Sequence, residues 1–124
     1  MTFFELSDKK MRKMKTLKKN YQFQNVLKKG KFYIGEQIII YILKNREEVN
    51  FFGIAISKKM CHAVQRNWIK RKIRENYRLL QNDLKQGYDI VFLWNKKEPI
   101  KEANFHIIQK DMEKLFKKAG VLEK

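Results

Sequence analysis

Cationic side chains recur on one side of a predicted helix over residues 64–80. Drawn at 100° per residue, this segment has an apolar stripe of Ile69, Ile73, Tyr77 and Leu80. The adjoining arc consists of Arg66, Asn67, Lys70, Arg71, Arg74 and Arg78. Arginine can donate paired hydrogen bonds to a phosphate, and asparagine can reach a base edge or a 2′-hydroxyl. The pattern favours a phosphate-binding face over a merely solvated charged face. Glu75, near the edge of the arc, is expected to oppose it only weakly.

Side chains that could perform acid–base or metal chemistry are scattered along the sequence. His62 and His106 fall on different predicted elements, and Cys61-His62 has no second Cys or His pair at zinc-ligand spacing. The sequence has no glycine-rich phosphate loop, no serine nucleophile motif and no carboxylate cluster in its basic half. We therefore expect no catalytic residue and no metal ligand in this chain.

The charge of the chain points to a polyanionic partner. The net charge is +16, and residues 1–80 hold 20 basic and 6 acidic side chains. Such an uneven excess indicates nucleic acid or an acidic membrane surface. The longest apolar run, residues 38–43, is far shorter than the roughly 20 residues of a membrane span. The lone cysteine suits a reducing compartment, so we expect a cytoplasmic protein without membrane contact.

The elements that would position these side chains suit one domain. Residues 1–16 are expected to be a flexible basic arm, and residues 17–124 a single α+β domain that carries the polyanion-binding face. Asn20 is predicted to cap a helix through residue 29, which Gly30 would end in a left-handed conformation. Residues 37–44 and 50–57 suggest an antiparallel hairpin, with the first strand covered on both faces. Three more elements follow: a helix over 63–84, a strand over 88–94 and a helix over 102–119 that Gly120 closes. Together the elements predict an α+β sandwich.

Two stretches of the sequence resemble a known family. Ser57-Lys58-Lys59 ends a predicted strand, and Arg66-Asn67-Trp68-Ile69-Lys70-Arg71-Lys72-Ile73-Arg74 follows on the helix. This is similar to the signature of the bacterial ribonuclease P protein, a Ser-Lys-Lys strand end followed by Arg-Asn-Arg-x-Lys-Arg-x-x-Arg. Leu17-Lys18-Lys19-Asn20, with Phe23, Val26 and Gly30, resembles the N-terminal block of the family. The resemblance covers about residues 17–80.

The resemblance implies a fold and a function. The fold would be a mostly antiparallel four-stranded sheet packed with three helices, like the second domain of ribosomal protein S5, with a left-handed β-α-β crossover. The function would be that of an accessory subunit of an endoribonuclease that removes the 5′ leader of precursor tRNA. In this family the RNA subunit hydrolyses the phosphodiester with Mg²⁺, which is held mainly by that RNA and the substrate. The implied partners are the catalytic RNA and precursor tRNA, with no obligatory protein partner.

The resemblance also implies two sets of contact residues. The residues expected to contact the catalytic RNA are Lys58, Lys59, Arg66, Asn67, Lys70, Arg71 and Arg74. The residues expected to line a cleft for the leader are Lys18, Lys19, Asn20, Phe23, Leu27 and Tyr41. Packing in the core is an equally good interpretation of Phe23 and Tyr41, and the favoured one for Val26 and Leu27.

The sequence departs from the family pattern at two positions. Leu27 replaces an aromatic residue of the first helix, and Trp68 replaces the second arginine of Arg-Asn-Arg. Trp68 falls outside the basic arc; it either stacks on an exposed base or, as we favour, packs against neighbouring chain.

The sequence is also compatible with other functions. A structural RNA-binding protein of ribosomal type would share the charge and the fold. A DNA-binding protein would need a helix free to enter the major groove, a membrane-surface helix would need an exposed apolar stripe, and a protein-only nuclease would need a carboxylate cluster.

Overall fold

The computed structural model describes residues 13–123, which form a mixed sheet with helices on both faces. The five strands are β1 (Lys15–Thr16), β2 (Lys31–Ile34), β3 (Ile38–Lys44), β4 (Phe51–Ala55) and β5 (Tyr88–Trp94). The three α-helices are α1 (Asn20–Lys29), α2 (Ala63–Leu80) and α3 (Phe105–Lys118). Short 3₁₀ turns at Gln81–Asp83 and Ile100–Glu102 follow α2 and precede α3.

The strands lie in the order β1-β4-β5-β3-β2. β3 is antiparallel to β2 and β5, whereas β4 is parallel to β5 and to β1. The expected α+β fold class is confirmed, but the sheet has five strands instead of four because Lys15–Thr16 adds a short edge strand. These two residues belong to the segment predicted as a flexible arm. Residues 1–12 of that arm lie outside the described part of the chain.

The predicted hairpin between β3 and β4 is wrong. β5 lies between them, so that Tyr41 of β3 and Gly53 of β4 both pair with Val91. The prediction assumed that strands adjacent in sequence pair directly, which is the commoner arrangement. Instead α2 connects the parallel strands β4 and β5, and β2 forms the hairpin with β3 through Gly35. The β-α-β crossover implied by the resemblance is thus present, formed by β4, α2 and β5. Its left-handedness remains a prediction.

The sheet is covered on both faces, as the continuous apolar run of β3 predicts. α2 and α3 pack on one face, where the rings of Phe52 and Tyr77 lie 4.5 Å apart and those of Phe92 and Phe116 lie 6.1 Å apart. α1 packs on the other face around a smaller cluster of Leu17, Val26 and Val91. Burial of these apolar surfaces is the main force that holds α1 and α2 on opposite sides of β5.

The ends of α1 differ from the prediction. The N-cap is Lys19 instead of Asn20, and the side-chain oxygen of Gln22 accepts the N–H groups of Lys18 and Lys19 at 2.8 and 2.9 Å. Gly30 is extended, not left-handed, with φ −77°. A Cβ there would lie 2.6 Å from the carbonyl oxygen of Val26, so glycine is needed for close approach.

The other helix ends show where sequence patterns are less accurate. α2 ends at Leu80 and continues as a 3₁₀ turn, instead of remaining α-helical to residue 84. α3 begins at Phe105 instead of residue 102, because the side chain of Asn104 accepts the N–H groups of His106 and Ile107. Gly120 has φ +78° and closes α3 as predicted.

Candidate RNA-binding surfaces

Helix α2 presents a cationic face beside its buried stripe. Ile69, Ile73, Tyr77 and Leu80 are buried, as the helical period predicts. The side chains of Asn67, Arg71 and Arg74 are exposed, and those of Arg66 and Lys70 are half-buried. We call Arg66, Asn67, Lys70, Arg71 and Arg74 the basic face. The buried stripe fixes the rotation of the helix, so the basic face lies beside that stripe, with Arg66 and Lys70 nearest the rest of the protein and Arg71 furthest from it.

Two arginines of the predicted arc are partly engaged within the protein. Nη1 of Arg66 donates to the carbonyl oxygen of Cys61 at 2.9 Å and so ties the preceding loop to the helix. Nε of Arg78 donates to both carboxylate oxygens of Glu75 at 3.0 and 3.1 Å. These hydrogen bonds, together with the charge of Arg78, hold the pKa of Glu75 below its usual range. Glu75 therefore opposes Arg78 directly, which the sequence analysis underestimated.

Lys58 and Lys59 lie in the turn between β4 and α2. The N–H groups of Lys59 and Met60 donate to the side-chain and backbone oxygens of Ser57 at 3.1 Å each. Both lysines are exposed. Ser57 therefore shapes a tight turn that carries two cations just ahead of the basic face.

A cleft of about 480 Å³ lies between α1, the sheet and α2. Of the predicted leader residues, Asn20, Phe23 and Leu27 line it. Ala55 and Leu93 contribute from the neighbouring strands β4 and β5. Lys70 of the basic face lines the cleft, and so does Lys96, which the sequence analysis missed because a lysine in a loop carries no spacing signal. The cleft thus combines apolar walls with two cations.

Phe23 packs against a glycine of β4. A Cβ on Gly53 would lie 2.5 Å from Cε2 of the Phe23 ring, so the ring packs where a side chain would otherwise stand. Phe23 is half-buried, packs against the Leu17–Val26–Val91 cluster and lines the cleft. Phe23 therefore packs in the core with one part of its ring and lines the cleft with another.

The remaining predicted leader residues lie apart from the cleft. Tyr41 is partly buried against the α1 cluster, and its ring lies 5.5 Å from that of Phe32 on the edge strand β2. Lys18 and Lys19 are exposed just before α1. The structure thus brings Asn20, Phe23 and Leu27 together with Lys70, but it does not place Tyr41, Lys18 or Lys19 in the cleft wall.

Trp68 lies on the outer surface of α2. It is 38% exposed and belongs to neither apolar cluster of residues 13–123. Nζ of Lys72 lies 4.5 Å from the centre of its ring. The indole therefore packs against Lys72, a neighbour on the same side of the helix.

The carboxylates of the described residues either accept hydrogen bonds within the fold or are spread over its surface. Asp111 accepts backbone N–H groups, and Asp89 accepts Nδ2 of Asn45 at 2.9 Å. Within residues 13–123, no three His, Cys, Asp or Glu side chains lie close enough to hold a metal ion. No helix in this range is long and apolar enough to cross a membrane.

Comparison with known proteins identifies the family. The Ribonuclease P family model matches residues 11–120. The ribonuclease P protein component of Caldanaerobacter subterraneus subsp. tengcongensis is 40% identical over 111 residues, which cover 90% of this chain and 94% of that protein. The corresponding protein of Clostridium botulinum is 40% identical over 106 residues, which cover 85% and 94%.

Solved structures agree with this assignment. The RNase P protein of Staphylococcus aureus superposes with a TM-score of 0.76 at 34% identity, covering 89% of this chain and 99% of that one. The RNase P protein of Thermotoga maritima gives a TM-score of 0.74 at 27% identity, covering 84% and 96%. The fold, the signature on α2 and the similarity to these relatives all indicate the same family, and the similarity extends along most of the chain. The chain therefore belongs to the ribonuclease P protein family, the accessory subunits that act with an RNA subunit in a tRNA-processing endoribonuclease.

Proposed function

We propose that this chain binds the catalytic RNA through the basic face of α2 and holds the 5′ leader of precursor tRNA in the cleft beside α1. The cations of the basic face, together with Lys58 and Lys59, would neutralise phosphates of the RNA subunit. The half-buried ring of Phe23 would stack on a leader base, while Lys70 and Lys96 would follow the phosphates of the strand.

The observation that carries this proposal is the position of Lys70. Its side chain belongs to the basic face and also lines the cleft that contains Phe23 and Leu27. A cation shared by both surfaces would lie where the RNA subunit and the leader meet. The combination of an aromatic wall and flanking cations suits a single strand held without base-specific contacts.

The hydrolytic chemistry is assigned to the RNA. We propose that the RNA subunit and the substrate hold the Mg²⁺ that supports phosphodiester hydrolysis. The carboxylates of residues 13–123 do not fit a shared metal site, since Asp111 and Asp89 are hydrogen-bonded inside the fold. The contribution of the chain is then to bind and orient RNA, and none of its described side chains is assigned a proton-transfer step. Nothing in the comparisons supports the alternative of a ribosomal-type structural protein.

Leader binding can be tested with a substitution that removes only the aromatic face. Phe23→Leu keeps an apolar side chain over Gly53, so the domain should remain folded, as thermal unfolding would show. In the complex with the RNA subunit, affinity for precursor tRNA with a leader of several nucleotides should fall about five- to tenfold. Affinity for mature tRNA should hardly change, because mature tRNA leaves the cleft empty.

A matched control is available on the same helix. Tyr21 is 67% exposed on α1 and does not line the cleft, so Tyr21→Leu should leave both affinities unchanged. An equal loss for precursor and mature tRNA in Phe23→Leu would show that the cleft does not hold the leader.

A further inference from the structure

Helix α2 carries exposed apolar side chains beside its basic face. Val64, Trp68 and Leu79 are 75%, 38% and 50% exposed. At 100° per residue, they fall within an arc of about 60° that adjoins the basic face on the side of Arg71. Large apolar side chains are common singly on soluble surfaces, but this apolar strip lies directly beside the basic face, and Val64 and Trp68 are neighbours one turn apart.

Trp68 is the residue of this strip best suited to a specific contact. Its indole is flanked one turn further along the helix by Arg71 at i+3 and by Lys72 at i+4. Lys72 places its ammonium 4.5 Å from the ring centre and so covers one face only. The packing of Trp68 against its own chain is thus incomplete, and more than a third of the side chain stays open to solvent.

The surroundings of Trp68 favour a polyanion over a protein partner. The apolar strip is narrow, and the charged side chains of Glu75 and Lys72 interrupt it. Protein interfaces bury continuous apolar patches and are depleted of lysine at their centre. An indole beside arginine and lysine is instead the combination that holds an unpaired nucleotide, where the ring stacks on the base and the cations pair with its phosphates.

We propose that Trp68 is a stacking platform for an unpaired nucleobase of the RNA subunit, with Arg71 and Lys72 on the adjoining phosphates. This inference rests on the proposed binding of that RNA by the basic face, and it extends the contact surface past Arg71 to the apolar strip. At this position the family pattern has an arginine, so the indole would offer the RNA a stacking surface in place of a charge.

The salt dependence of RNA binding separates stacking from ionic contact. Removal of a phosphate-binding cation lowers the slope of log affinity against log salt by about 0.7–0.9, whereas loss of a stacked base leaves the slope unchanged. Trp68→Ala should therefore weaken binding of the RNA subunit about tenfold at every salt concentration. Trp68→Phe should recover part of that loss, and Arg71→Ala should lower the slope.

Tryptophan fluorescence provides a second, direct measurement. The chain has two tryptophans, and Trp94 is 3% exposed with its Nε1 donating to the carbonyl oxygen of Glu98. Binding of the RNA subunit should quench the emission of the wild-type chain, because a stacked base quenches an indole. The same titration of Trp68→Phe, in which only the buried Trp94 emits, should show little quenching.

The two proposals fail in different ways. If Arg71→Ala lowers the salt slope but Trp68→Ala binds like the wild type and no quenching is seen, the stacking inference is wrong while RNA binding by the basic face stands. If Arg71→Ala also leaves both affinity and slope unchanged, the proposed RNA contact of α2 itself is wrong.

Discussion

At the scale of single residues, the contact between Phe23 and Gly53 connects helix α1 to β4 at the cleft. Gly53 lies on β4 opposite Val91, on the face of the sheet that α1 covers. The sequence shows a glycine inside a strand, which often marks close approach of another group. It could not show which group approaches, because that depends on the register of β4 with β5 and on the position of α1.

The substitution Gly53→Ala tests this contact. Its Cβ would lie 2.5 Å from the ring carbon Cε2 of Phe23, so the ring or the strand must move. Overpacking of this kind is expected to cost about 1–3 kcal/mol of unfolding free energy, which urea denaturation can measure.

A double-mutant cycle supplies the control for this prediction. In the Phe23→Leu background the side chain over the glycine is smaller and more flexible, so Gly53→Ala should cost clearly less. Equal costs in the two backgrounds would mean that the destabilisation comes from the strand itself and not from the ring.

At the scale of elements, the sequence predicts the helices and buried strands well and their pairing poorly. The bounds of β5 and the start of α2 agree with the prediction, because a run of buried residues and a long helical period are strong local signals. The insertion of β5 between β3 and β4 is a non-local arrangement that no period or turn residue encodes. The same holds for Gly30, where a Cβ would lie 2.9 Å from the carbonyl oxygen of Ile42 on β3.

Asp111 illustrates an element contact that the sequence conceals. From α3 it accepts the backbone N–H groups of Glu36, Gln37 and Ile38 at 3.0, 2.7 and 3.1 Å. It is 6% exposed, and its carboxylate also fills the space above Gly35. In the sequence it is simply one more acidic residue on a helix of mixed charge.

The substitution Asp111→Asn should therefore destabilise the domain. The amide keeps one acceptor oxygen but places an N–H₂ group against backbone donors, so we expect a loss of about 2–3 kcal/mol in chemical denaturation. Glu113→Gln changes an exposed carboxylate on the same helix in the same way and should change stability by less than about 0.5 kcal/mol. A loss in Asp111→Asn no larger than this control would show that Asp111 does not hold the β2–β3 turn.

At the scale of the whole molecule, the fold gives the cations different surroundings: some are exposed, some line the cleft, and others are hydrogen-bonded within the protein. Charge asymmetry in the sequence predicts a polyanionic partner, and the resemblance to the family predicts that this partner is RNA and that α2 contacts it. Only the structure shows that Lys70 is shared with the cleft, that Arg66 also holds the loop at Cys61 and that Arg78 is paired with Glu75. These distinctions follow from packing, so they could not be read from the order of the residues.

The central claim is that the basic face of α2 lets this chain assist a catalytic RNA. The most direct measurement is cleavage of precursor tRNA by a bacterial ribonuclease P RNA at low Mg²⁺, with and without the protein. The wild-type chain should restore cleavage. Arg71→Ala with Arg74→Ala should lose most of this effect, whereas Lys114→Ala with Lys117→Ala, which removes two exposed cations from α3, should retain it. Failure of the wild-type chain to restore cleavage, or equal cleavage with both double variants, would contradict the account.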